Sequence, residues 1–102
     1  MSTIEELENE RLQWSLKTFP DATAISSLRK LEEEIKEIES DINSWKKVPE
    51  EYADALMCLF DSAGRHGIAV NEIISAFALK LIKNKNRKWV KNPDNTYSHV
   101  KI

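Results

Sequence analysis

The sequence predicts an all-α fold of four helices, and three observations carry that expectation. Apolar residues recur at helical spacing: Leu28, Leu31, Ile35, Ile38, Ile42 and Trp45 follow one another at intervals of 3, 4, 3, 4 and 3. Start and stop signals at Thr3-x-x-Glu6, Phe19-Pro20, Val48-Pro49 and Gly64 with Gly67 divide the chain into four stretches. The 102 residues are 31% charged and 41% hydrophobic, which suits a single helix-rich domain near the size where association aids stability.

The first helix is expected from Ser2 or Thr3, where Thr3-x-x-Glu6 forms a capping box, to about Lys17, with Ile4, Leu7, Leu12 and Leu16 as its apolar positions. Phe19-Pro20 ends it, because a residue before proline avoids the α region. The second helix carries the heptad-like seam. At helical pitch Glu34 falls about 70° from the centre of that stripe, at its rim; Glu37 falls about 130° away, and Glu33 points nearly opposite. Pro49 suits the first position of the third helix, which continues through Met57 and Phe60 to about Ala63, with Gly64 and Gly67 as stop signals. This helix is apolar almost all round and is expected to be central. The fourth begins near Val70-Asn71, with Asn71 as its cap, uses Ile74, Phe77, Ala78 and Leu81, and frays from Asn84 to Trp89. Residues 91–102 read as a C-terminal tail with a turn at Asn92-Pro93-Asp94-Asn95, and 1–102 as one domain.

The chemistry lies in two acidic pairs, Glu34-x-x-Glu37 and Glu51-x-x-Asp54. Each spacing puts both carboxylates on one face of a helix. Converging carboxylates repel and raise one another's pKa unless a cation joins them, and acids on a largely apolar helix need a partner or a metal. Oxygen-only donors suit Mg²⁺, with Mn²⁺ as the alternative. The net charge of −2 is uninformative, but its distribution is not. Of 17 acidic residues, 15 lie at or before Asp61, whereas from Lys80 onward seven Lys or Arg face the single Asp94. Lys80, Asn84 and Arg87, at i, i+4 and i+7, read either as a solvated stripe or as phosphate contacts; Asn84 favours the second, since asparagine gains nothing from a helix interior. Trp14 and Trp89 read as packing residues or as faces for a nucleobase. Asp61 either bridges Arg65 or belongs near the acids, Cys58 is a small core residue, and His66 ends a helix.

Other classes fit less well. A lone cysteine excludes an internal disulfide and fits a reducing compartment. No apolar run approaches the roughly 18 residues that span a bilayer, and the opening residues lack a signal-peptide core. A cytoplasmic location with no membrane partner is expected. A nucleic-acid-binding module would leave the acidic half without a role, and no Glu-x-x-His pairing supports a di-iron bundle.

Leu31-x-Glu33-Glu34-x-x-Glu37, thirteen residues, then Glu51-x-x-Asp54 resembles the signature of the MazG-like nucleoside triphosphate pyrophosphohydrolases, an all-α superfamily that includes dimeric dUTPases. Lys80-x-x-x-Asn84-x-x-Arg87-x-Trp89 resembles that family's phosphate-contacting segment. Trp14, Phe19-Pro20 and Tyr97-x-His99 resemble a subgroup of short dATP/dGTP pyrophosphohydrolase-like proteins of phages and prophages, and the likeness runs from Gln13 to Val100. The resemblance implies a four-helix bundle in which Glu34, Glu37, Glu51 and Asp54 hold Mg²⁺, and water attacks the α-phosphorus to give a nucleoside monophosphate and pyrophosphate. It implies Glu33 and Glu34 as catalytic acids, Lys80, Asn84 and Arg87 on the phosphates, and Trp14, Trp89 and Tyr97 as base contacts. It further implies a preference for purine deoxynucleotides and a homodimer or homotetramer with sites completed across subunits. The alternatives are a dUTP- or dCTP-directed or broad house-cleaning pyrophosphatase, and a non-enzymatic helical partner protein.

Overall fold

The structure, a computed structural model, describes residues 2–101 and contains helices α1 (Ile4–Thr18), α2 (Ala24–Asn43), α3 (Pro49–Arg65) and α4 (Val70–Lys85), then strands β1 (Trp89–Lys91) and β2 (Tyr97–His99). Met1, and Ile102 at the end of the expected tail, lie outside the described residues. The backbone forms two compact units, one extending to Asn71 and the other starting at Glu72.

In the first unit the helix ends follow local chemistry. The Glu6 N–H donates to Thr3 Oγ1 at 3.1 Å while the Glu6 carboxylate accepts from the Thr3 N–H, completing the expected capping box. Thr23 and Ser26 make a second reciprocal cap, which starts α2 four residues ahead of Leu28. Pro49 opens α3 as expected.

Two helix ends correct the sequence reading. The Lys46 N–H reaches Asp41 O at 2.9 Å and the Trp45 N–H reaches Ile42 O at 3.2 Å, a Schellman-type ending with Trp45 at φ 60°. Trp45 is therefore not part of the seam; the left-handed turn carries it past the helix and leaves it 93% exposed. Likewise α3 does not stop at Gly64. The chain breaks at Gly67, whose φ of 84° suits glycine, and Gly64 lies inside the helix. A Cβ at Gly64 would meet Leu12 Cδ2 at 2.7 Å, so this glycine admits the Leu12 side chain of α1 against α3.

Within this unit α3 packs against both α1 and α2 and is central, as its apolar character requires. The material between the helices is largely polar. Glu8, Ser15, Ser27, Glu34, Asp61 and Ser62 are buried, with Val70 the one buried apolar side chain among the described residues. Asp61 organises this centre. Its Oδ1 accepts from Ser15 Oγ (2.8 Å) on α1 and from Arg11 Nη1 (3.0 Å). Its Oδ2 accepts from Ser27 Oγ (2.6 Å) on α2 and from Arg65 Nε (2.8 Å). Arg65 continues to Ala22 O at 2.9 Å, and Arg11 also pairs with Glu8. Burial opposes ionisation of Asp61, but the hydroxyls of Ser27 and Ser15 and the guanidinium groups of Arg65 and Arg11 outweigh it and hold the carboxyl well below the usual range. One carboxylate thus ties three helices together.

The second unit comprises the rest of α4 and a hairpin. α4 begins at Val70, which puts Asn71 in the first turn and not at the cap. The expected tail is instead an antiparallel ladder pairing Trp89 with His99, Val90 with Ser98 and Lys91 with Tyr97. The expected turn closes it: Asn92 N–H donates to Thr96 O at 2.7 Å, Asp94 Oδ1 accepts from the Thr96 N–H and hydroxyl, and Asn95 sits at φ 69°. Trp89 packs edge-on against His99 and donates Nε1–H to Asn84 O at 3.0 Å, fastening the hairpin to the end of α4. No helix among the described residues is long and apolar enough to cross a membrane.

Candidate functional site

Helices α2 and α3 form an antiparallel pair, as their side-chain partners show. Ser27 meets Asp61 at one end, Asp41 meets Glu51 at the other, and Glu34 feels the charge of Asp54 between them. The acids of both expected pairs lie along this seam. Glu34 is buried, Glu51 is half-buried, and Glu37 and Asp54 are exposed. Glu34 sits deeper than the rim position expected of it, whereas Ile35 and Ile42 of the apolar stripe are 45% and 59% exposed. The helix is turned so that its carboxylates face α3 and part of its isoleucine stripe faces outward.

The electrostatics are those of like charges held together. Burial pushes the Glu34 carboxyl up, aided by the charges of Glu37 and Asp54 and by a hydrogen bond with Glu37, against a smaller opposing pull from Lys30. Glu51 is pushed up to about 7 by its hydrogen bond with Asp41, then by burial and by the charges of Asp41, Glu37 and Glu34. Glu34 Oε2, Asp41 Oδ2 and Glu51 Oε2 are all buried without a hydrogen-bond partner. Such oxygens are costly unless a proton or a cation satisfies them.

Asp41 did not figure among the expected site residues. Its signal was present, since Glu34, Glu37 and Asp41 stand at i, i+3 and i+7 on one helix face, but it lies outside the two acidic pairs. Glu33 is not brought into the group; it points outward and pairs with Lys30 Nζ at 3.1 Å. Among the described residues no three His, Cys, Asp or Glu side chains converge closely enough to hold a metal ion by themselves. The carboxylates form a row and not a cage, which is how Mg²⁺-type sites look when phosphates and water complete the shell.

Beside the row lies a cavity of about 350 Å³ walled by Trp14, Phe19, Ser26, Ser27, Lys30 and Met57. Trp14 and Phe19 meet edge to face at 5.4 Å. Lys30 links this cavity to the acids, its Nζ standing 3.9 Å from Glu34 Oε1. Cys58 also lines it, half-buried, and burial followed by the Glu34 charge pushes its thiol up, away from nucleophilic use.

In the second unit, Lys80 and Asn84 border a groove with Phe77 and Leu81, and Arg87 Nη1 donates to Asn84 Oδ1 at 3.2 Å. Arg87 stands beyond the end of α4, not on it. Tyr97 is exposed on β2. The charge of Arg87, then burial and the charges of Lys101, Lys80 and Lys83, push the His99 imidazole down.

The helical fold is that of the MazG-like pyrophosphohydrolases. The fold matches one from cyanophage S-2L, solved bound to dGDP and three catalytic Mn²⁺ ions per active site, with a TM-score of 0.79, 28% identity and coverage of 99% of this chain and 100% of that one. Within this class, the sequence model of the dATP/dGTP pyrophosphohydrolases matches residues 7–101, and the chain belongs to that family. A dATP/dGTP diphosphohydrolase of Salmonella phage PMBT28 is 34% identical over 98 residues, 96% of this chain. The chain spans about a third (32%) of that relative's length.

Proposed function

We propose that the protein hydrolyses deoxynucleoside triphosphates, dATP and dGTP foremost, between the α- and β-phosphates, releasing the monophosphate and pyrophosphate with the help of divalent cations. The observation that carries this reading is the set of buried oxygens on Glu34, Asp41 and Glu51 that have no hydrogen-bond partner, with Lys30 the one cation described near them, 3.9 Å from Glu34 Oε1. Family membership supports the substrate class, and the dGDP and Mn²⁺ of the cyanophage neighbour support the nature of the ligands.

Glu34, Glu37, Glu51 and Asp54 are assigned to the cation, which is Mg²⁺ or Mn²⁺ on the grounds of an oxygen-only donor set. When bound there, the cation supplies a more acidic water and neutralises charge on the phosphates. Glu34, the most buried of the four, orients that water. Glu33 keeps at most an indirect role through Lys30, which it shares with Glu34. Lys80, Asn84 and Arg87 are assigned to the phosphates by the charges of Lys80 and Arg87 and by the hydrogen bond that ties Arg87 to Asn84. Trp14, beside the cavity, is the preferred base contact; Trp89, whose N–H is already committed, and Tyr97 are secondary. The protein acts in the cytoplasm as a homodimer or homotetramer. Support for association comes from large apolar side chains left bare on the helices, Phe77 and Leu79 at 71% and 70% exposure among them.

The deciding experiment is pyrophosphate release across the four dNTPs, the four NTPs and dUTP, with Mg²⁺ and with Mn²⁺. Turnover is expected to be fastest with dATP and dGTP; a panel inactive with both metals would favour the partner-protein reading. Arg87→Ala is expected to raise KM about tenfold or more, the loss of a charge-assisted contact, with kcat less affected. A change confined to thermal stability would return Arg87 to a structural role.

The Glu51 carboxyl gives a pH dependence of definite sign. Its pKa is about 7 in the folded chain against 4.5 as the ordinary value, so between those values the folded state binds more protons than the unfolded one. Its contribution to stability therefore declines as pH rises from about 4.5 to about 7. A cation competes with that proton, so Mn²⁺ is expected to raise Tm more at pH 8 than at pH 5.5. Equal shifts at both pH values would count against cation binding at Glu51.

A further inference from the structure

We propose that Lys30 is a substrate contact, its ammonium taking the α-phosphate of the nucleotide where the cavity beside α1 meets the row of carboxylates. The inference rests on the hydrolytic reading above and adds a residue to that same site.

The wall of the cavity suits a nucleoside. Trp14 and Phe19 meet edge to face on it at 5.4 Å, and aromatic faces hold a base by stacking without choosing among bases. The hydroxyl and guanidinium groups of the wall are already turned to protein acceptors. Ser15 and Ser27 donate to Asp61 at 2.8 and 2.6 Å, Ser26 donates to Thr23 O at 3.0 Å, and Arg11 is divided between Glu8 and Asp61. Lys30 is the other cation on the wall. Its Nζ donates to Glu33 Oε2 at 3.1 Å and stands 3.9 Å from Glu34 Oε1, too far for a hydrogen bond, so N–H donors remain for a ligand.

Position and charge together point to the α-phosphate. A nucleoside end in the cavity and phosphates at the acid row leave the sugar and the α-phosphate between them, and only the phosphate is an anion. Lys30 lies one turn before Glu34 on the same face of α2. Its ammonium is a compact charge on a flexible stem, able to follow a phosphate. The partner it has is easily given up. Lys30 and Glu33 are 60% and 65% exposed, and an ion pair so open to solvent contributes little. Arg11 makes the contrast: 12% exposed and held between the carboxylates of Glu8 and Asp61, it has no comparable freedom. Glu33 then keeps the ammonium beside the row while no phosphate is present.

Calorimetric titration with dGMP and with deoxyguanosine, both in Mg²⁺, separates phosphate from nucleoside without turnover. Lys30→Gln is expected to weaken dGMP binding about tenfold or more, the loss of a charge-assisted hydrogen bond, and to leave deoxyguanosine binding unchanged. Lys30→Arg is expected to keep most of the dGMP affinity, and Lys30→Met serves as a second charge-free variant should the amide not fold. A lysine that only balanced the acids would give the opposite sign. Removing a cation from beside Glu34 would then strengthen the hold of the row on Mg²⁺ and, with it, the binding of dGMP. Unchanged or tighter dGMP binding in Lys30→Gln, or an equal loss with both ligands, would overturn the proposal and leave the hydrolytic reading standing. An unaltered protein that binds neither ligand and releases no pyrophosphate from any dNTP would remove both.

Discussion

Replacing Asp61 with asparagine is expected to destabilise the first unit by about 3–5 kcal/mol, the cost of breaking a buried ion pair by removing one partner. Asparagine fits the space but carries no charge, and its amide nitrogen faces donors at whichever end it occupies. Arg65, whose Nε bonds Asp61 at 2.8 Å, then keeps only neutral acceptors at Ala22 and Ser15, while Arg11 retains Glu8. Against a typical stability of about 5–15 kcal/mol the loss is large, and at about 4–8 °C per kcal/mol it lowers Tm by tens of degrees. Thermal and urea unfolding followed by circular dichroism measure it. A loss under about 1 kcal/mol would mean that Asp61 is not the joint that the geometry makes it. The pH dependence has the opposite sign to that of Glu51. The Asp61 carboxyl is depressed, so its contribution is complete above the ordinary aspartate value of 3.8 and is lost as pH falls through its lower folded value. Asp61→Asn is accordingly expected to flatten the acid limb of the stability curve.

This joint also shows where sequence reasoning reached its end. Helix starts are local events, and the capping box at Thr3 and the proline at Pro49 were readable because their partners lie within one turn. The acidic pairs were readable for the same reason. Ser15 and Ser27 gave no such signal, since their partner Asp61 is 46 and 34 residues away and a serine in a helix looks the same bare or buried. The apolar seam misled in a specific way. Averaging its directions assumes a dry partner, but α3 offers Glu51 and Asp54 to that face, and the helix turns to bring Glu34 inward and Ile42 outward. Gly64 and Gly67 were equivalent as letters; one is a packing contact with Leu12 and the other a left-handed stop. Asp41 carries its signal in the i+7 spacing from Glu34, but it lies outside the two acidic pairs. The hairpin had its turn in plain view, whereas strands of three residues are too short for alternation to declare itself.

Asp54→Asn is expected to cut pyrophosphate release by about 10²–10³-fold or more, roughly 3–4 kcal/mol of transition-state stabilisation, and to leave the fold intact. Asp54 is exposed and ties no helix to another, so its loss removes no structural bond among those described. It also raises the Glu34 carboxyl through its charge, so removing that charge relieves the apo protein. Glu34→Gln is expected to go further in the same direction, because it neutralises the most buried acid of the row: Tm without metal rises, Mn²⁺ no longer adds to it, and activity is lost. Acids that merely solvate a helix cannot give this pair of opposite signs, since their removal is neutral for stability and for turnover alike. Groups held together at a cost to the fold because they serve a ligand must give it. Kinetics and melting curves on the same preparations decide between the two cases, and full activity in Asp54→Asn would overturn its assignment to the metal.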